Sequence, residues 1–132
     1  MKFKLVFVII MKSFLLVFLG GGLGSGLRYL VTITMNQYYK VLPFGTFIVN
    51  MLGCLLIGLI LGYAQKENTL TSNQTLLLAT GFCGGFTTFS AFANENLELI
   101  RNGELFNFSF YTVGSVLIGI LAVFIGFYLT NR

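Results

Sequence analysis

The sequence predicts an all-α integral membrane protein with four transmembrane helices, the third of them broken mid-membrane. Three observations predict it. Of 132 residues, 56% are hydrophobic and only 9% are charged, whereas soluble domains carry roughly 25% charged residues. The apolar residues fall into four stretches, each long enough to cross a bilayer at about 20 residues per span. One stretch carries paired glycines and threonines in its middle, poor material for a continuous helix. The chain forms a single transmembrane domain over 1–132, with no repeat at solenoid period.

The first span covers about 14–34. Before it lies an apolar stretch from Met1 to Met11 with Lys2 and Lys4. This stretch has three readings: a short signal-like segment, an extension preceding a true start at Met11, or an apolar lengthening of the first helix. No small-residue cleavage pattern follows it. Within the span, Gly20 and Gly24, and Gly22 and Gly26, have the four-residue spacing of close helix packing. They complete no dinucleotide or P-loop pattern. Arg28 follows them. An arginine so close to an apolar span either snorkels to the interface or has a partner or anion there.

The second span covers about 44–64 and starts after Pro43, where a missing N–H costs a helix nothing. Asn50 sits inside it. A lone amide in a span bonds across helices or donates to an ion or water in a path. The polar run from Gln65 to Asn73 is a loop.

The third span covers 73–100 with the break near 84–89, in Gly84-Gly85-Phe86-Thr87-Thr88-Phe89. Non-helical backbone at membrane depth survives only when buried in protein or lining a wet cavity. The freed carbonyls of the break need partners, and a bare cation such as Na⁺ satisfies several at once. Phe89 and Phe92, three apart, share a helix face. Their ring edges are positive and can meet an anion without a fixed charge that would trap it. Arg101 to Glu104 forms a turn, and the last span covers 106–129. Thr87, Thr88, Ser90, Tyr111 and Ser115 supply hydroxyls, with Glu95 one turn beyond Phe92. Such hydroxyls either form a polar track or bond back to their own helix carbonyls.

The inventory excludes other chemistries. With no His and no Asp, a hydrolytic triad or a His-based metal site cannot be built, and an enzyme is not expected. Cys54 and Cys83 lack redox or zinc spacing and read as small core residues. The eight scattered bases form no nucleic-acid patch. Lys2, Lys4, Lys12, Lys66 and Arg132 lie on one side and Lys40 and Arg101 on the other. A start at Met11 removes two from the richer side, and the orienting bias becomes weak. Weak bias allows insertion in both orientations.

Three segments together, Gly20 to Tyr29, Phe44 to Gly53 and Gly81 to Ser90, in order and with this spacing, resemble the signatures of the Fluc (CrcB) fluoride channel family. The likeness runs from about Met11 onward. It implies a dual-topology antiparallel dimer with two fluoride pores, a central structural Na⁺, and passive export of fluoride across the plasma or inner membrane. By motif, Asn50, Phe89 and Phe92 line the pore. Ser90, Tyr111, Ser115, Thr88 and Glu95 belong to its polar side, and Arg28 to a vestibule. The carbonyls of Gly84 and Thr87 hold the Na⁺. Ala91 stands where the family often has threonine, which thins the polar track. Both a homodimer and a heterodimer with a paralogous chain fit. The alternatives are a small multidrug-resistance-type cation/proton antiporter, which needs a carboxyl deep in a span and finds none in the first, or a non-transporting assembly subunit.

Overall fold

The computed structural model describes residues 2–38, 42–66 and 69–131. Lys40 and Arg132 of the charge argument lie outside them. Among the described residues the regular structure is entirely helical. Four helical stretches are long and apolar enough to cross a membrane, the third spanning Ser72–Arg101.

The first helix, α1, runs Lys2–Tyr38 without interruption. The apolar residues before Met11 therefore lengthen the first helix. At 1.5 Å per residue, its 37 residues reach about 55 Å, well beyond a hydrocarbon core of about 30 Å. Leu5 to Ile10 are exposed on every face. Helix α2 runs Phe44–Gln65. The Asn36 side chain ties its start to α1 by accepting from Gly45 N–H at 3.2 Å.

The third span is a composite. A short α3, Ser72–Thr75, opens with a capping box between Thr71 and Gln74. A π-helical stretch, Leu76–Cys83, follows, then α4, Gly84–Phe86. The chain is extended at Thr87 (φ −81°, ψ 159°) and Thr88 (φ −150°, ψ 121°). It then resumes as α5, Phe89–Arg101. The break falls inside the predicted window. The π-helical stretch before it carried no recognisable signal. Gly103, at φ 74°, makes the turn into α6, Leu105–Thr130. Only glycine adopts that conformation freely.

Small residues position the spans. A Cβ on Gly20 would strike the backbone at Leu77 and Phe82, and one on Gly24 the backbone at Phe82 and Phe86. Residue numbers rise together along this seam, so the first and third spans run parallel. Gly22 and Gly26 face open space, so only one of the two glycine pairs serves this packing. Gly58 and Gly126 bring α2 and α6 together in the same way.

Candidate functional site

The break is held from α2. Asn50 acts like a strand partner. Its Nδ2 donates to the Thr88 carbonyl at 3.1 Å, and its Oδ1 accepts from Thr88 N–H at 2.8 Å. One amide thus satisfies both backbone groups of the extended residue. In α-helix, Thr88 N–H would have served the Gly84 carbonyl four residues back. The same diversion recurs three residues on. Ala91 N–H donates to the Thr88 side-chain oxygen at 3.3 Å instead of to Thr87. Both carbonyls named for the cation therefore lose their helical donors.

Gly84 and Thr87 lie on the wall of a cavity of about 530 Å³, together with Asn50, Phe89, Phe92 and Ser115. No atom lies within 4 Å of a Cβ built on Gly84, so that backbone is open. Carbonyl oxygens suit a hard cation such as Na⁺. Two per chain are too few to replace a hydration shell, and the set would be completed by a second copy meeting at this face. The residues fit the ion on those terms.

The aromatic side of the site runs from α5 to α6. The rings of Phe89 and Phe92 lie 5.8 Å apart, tilted at 45°, and those of Phe92 and Tyr111 lie 5.2 Å apart at 50°. Phe89 is 79% exposed and Phe92 is half-buried.

Polar groups run beside the rings. The Glu95 carboxyl accepts from the Thr46 hydroxyl at 2.5 Å and from the Tyr111 hydroxyl at 2.7 Å. It ties α5 to both α2 and α6. Thr88 and Ser90 pair their hydroxyls at 3.3 Å. Ser115 Oγ is buried with no hydrogen-bond partner among the described residues. None of these pairs is a bond to the same helix's carbonyl. Thr87, by contrast, does bond back, to the Cys83 carbonyl at 2.9 Å, so its hydroxyl is structural and its own carbonyl is the group of interest. Arg28 has a partner: its Nε donates to the Gly85 carbonyl at 3.1 Å.

Two parts of the site went unread in the sequence. Thr46, 1% exposed, is the second donor to Glu95. The signal was available, since a carboxyl group at membrane depth requires donors and Thr46 lies one helical turn from Asn50. Asn96 is buried beside it, donating to the Phe92 carbonyl at 2.9 Å and accepting from Thr112 at 2.7 Å.

A four-span bundle with a broken third helix and a mixed aromatic and hydroxyl wall defines a small multi-pass membrane protein built around a backbone opening. Residues 15–127 match the family described as CrcB-like protein, Camphor Resistance (CrcB), and the chain belongs to that family. A relative from Phocaeicola vulgatus, named fluoride-specific ion channel FluC, is 48% identical over 122 residues, covering 92% of this chain and 100% of its own. One of the same name from Flavobacterium psychrophilum is 45% identical over 117 residues, covering 88% and 94%. Another from Gloeothece citriformis is 46% identical over 123 residues, covering 92% and 99%.

Proposed function

We propose that this protein is a fluoride-specific channel of the cell membrane that lets F⁻ leave the cytoplasm passively. In this reading two copies assemble antiparallel around the break, with two pores and a central structural Na⁺. The observation that carries the reading is the file of Phe89, Phe92 and Tyr111 beside the Glu95, Thr46 and Tyr111 hydrogen bonds. The names of the relatives support it.

Fluoride is small and strongly hydrated, and a pore must replace its water with donors spaced to its size. Ring edges supply weak positive contacts that hold the ion only loosely. Asn50 aims its amide at the break and so fixes where Phe89 begins its helix. Its NH₂ group carries two donors, and Thr88 takes one of them, leaving the other for the cavity side. Tyr111 and Thr46 hydroxyls are engaged by Glu95, and an arriving anion competes with that carboxyl for them. Ser115 Oγ, buried without a partner, is a donor in reserve.

The freed carbonyls would find their partner in a bound cation at the centre of the assembly. Gly84 and Thr87 would hold it through their backbone oxygens. Phe89, at 79% exposure, would gain a wall from a second copy. A homodimer is the simpler assembly, since a second copy of this chain brings the same carbonyls and the same exposed ring.

The test is efflux from liposomes. Vesicles loaded with fluoride and containing the purified protein are followed with a fluoride electrode, beside chloride-loaded vesicles. Rapid fluoride loss with little chloride loss is expected. Equal loss of both ions, or none of either, overturns the reading.

A further inference from the structure

Arg28 on α1 and Gly85 on α4 are 57 residues apart in sequence, yet the Arg28 Nε donates to the Gly85 carbonyl at 3.1 Å. In an unbroken helix that carbonyl would accept from the N–H of residue 89. The break withdraws helical donors from a run of carbonyls, and the fold shares the run out. Gly85 goes to Arg28. Gly84 and Thr87, three residues apart, lie on the cavity wall.

Gly85 is gripped a second time on the same side. A Cβ placed on it would strike the Gly21 backbone, so α1 seats this peptide closely. A guanidinium is planar, and its Nε–H points along a fixed direction. An ammonium on a flexible stem cannot reproduce that donor.

We infer that Arg28 is a positioning residue for the cation site. By holding Gly85 toward α1, it fixes the neighbouring peptides so that the Gly84 and Thr87 carbonyls stay turned to the cavity. This rests on the Na⁺ reading proposed above. It differs from a vestibule role, in which Arg28 acts through its charge.

The sign of the effect separates the two roles. A positive charge near a cation site opposes cation binding. If charge alone mattered, Arg28→Gln would tighten Na⁺ binding and Arg28→Lys would leave it unchanged. Positioning predicts that both substitutions loosen it. Loss of a residue that orients a metal's ligands costs about 10- to 100-fold in metal affinity.

The experiment measures the melting temperature of the purified full-length protein in detergent, starting from a buffer whose only cation is a large organic amine. NaCl is titrated in, with the choline salt as an ionic-strength control. Wild type is expected to be stabilised by Na⁺ with a measurable midpoint. Arg28→Lys and Arg28→Gln are expected to need at least about tenfold more Na⁺, and to regain fluoride efflux when Na⁺ is high. A wild type indifferent to Na⁺ overturns the cation reading and this inference with it, while the efflux test above still stands for the fluoride reading. A Na⁺-dependent wild type with Arg28→Lys at the same midpoint overturns the inference alone. Should Arg28→Gln fail to fold, Arg28→Lys decides.

Discussion

Asn50 offers a prediction in which two variants rank oppositely in stability and in conduction. It makes two hydrogen bonds to the backbone of Thr88, at 3.1 and 2.8 Å. Asn50→Leu removes both and leaves a half-buried N–H and C=O unpaired, at about 1–3 kcal/mol for each buried group. Half-burial favours the low end, so about 2–3 kcal/mol in all. Asn50→Asp keeps the acceptor for Thr88 N–H and loses only the donor to its carbonyl, costing about 1–2 kcal/mol. Wild type should therefore be the most stable, the aspartate variant intermediate and the leucine variant the least. Conduction adds a second effect. A fixed negative charge about 5 Å from a passing anion, at an effective dielectric of about 20, repels it by roughly 3 kcal/mol. The aspartate variant should then conduct more slowly than the leucine variant, by about two orders of magnitude, since each 1.4 kcal/mol is about tenfold. Denaturant melts in detergent give the first order and liposome efflux the second. Wild-type efflux from Asn50→Asp would remove Asn50 from the path. Matching orders would make its role purely structural.

Four further predictions concern the rings, the glycines and the first helix. Phe89→Ile and Phe92→Ile should each largely abolish fluoride efflux while the protein still purifies folded, because an aliphatic side chain has no positive edge; undiminished efflux in both would remove the file from the path. Gly85→Ala should destabilise the fold by about 1–3 kcal/mol through overpacking against Gly21. Gly84→Ala, with open space around it and φ −63°, should leave the chain's own fold intact and weaken the proposed dimer, read by size-exclusion chromatography with light scattering. Deleting residues 1–10 should leave efflux unchanged, since the family match begins at residue 15; a deletion that stops efflux would assign the extension a role.

The sequence was legible where one residue type admits one behaviour. Apolar length located the spans, and Gly84-Gly85 followed by Thr87-Thr88 located the break, because neither local propensity nor membrane depth tolerates that run in a regular helix. Glycine spacing was less decisive. Gly20 and Gly24 meet backbone while Gly22 and Gly26 meet nothing, and only the neighbouring helix decides which pair is used. The hydroxyls were ambiguous for the same reason. Thr87 bonds back to Cys83 and Tyr111 reaches Glu95, and nothing local distinguishes a hydroxyl that turns inward from one that reaches across. The π-helical stretch at Leu76–Cys83 was illegible because its register answers to packing against α1 rather than to its own residues. Arg28 had a partner, as a charge near a span requires, but that partner was a carbonyl 57 residues away.

The extended pair Thr87 and Thr88 links the two halves of the proposed device. Breaking the helix there releases carbonyls on one side of the chain and starts α5 at Phe89 on the other. The released carbonyls are acceptors and suit a cation. The α5 face beyond the break presents ring edges and hydroxyls and suits an anion. In the proposed device the helix break divides the two polarities, while Glu95 holds the hydroxyls on one side and Arg28 a carbonyl on the other. That division explains why Asn50 pairs with both polar groups of one residue. Releasing Thr88 would let its N–H return to Gly84, which would close the cation side and shift the start of α5 at the same time. The two sites should therefore fail together when the break heals, and a substitution that restores helix through 87–88 should lose Na⁺ dependence and fluoride efflux in the same step.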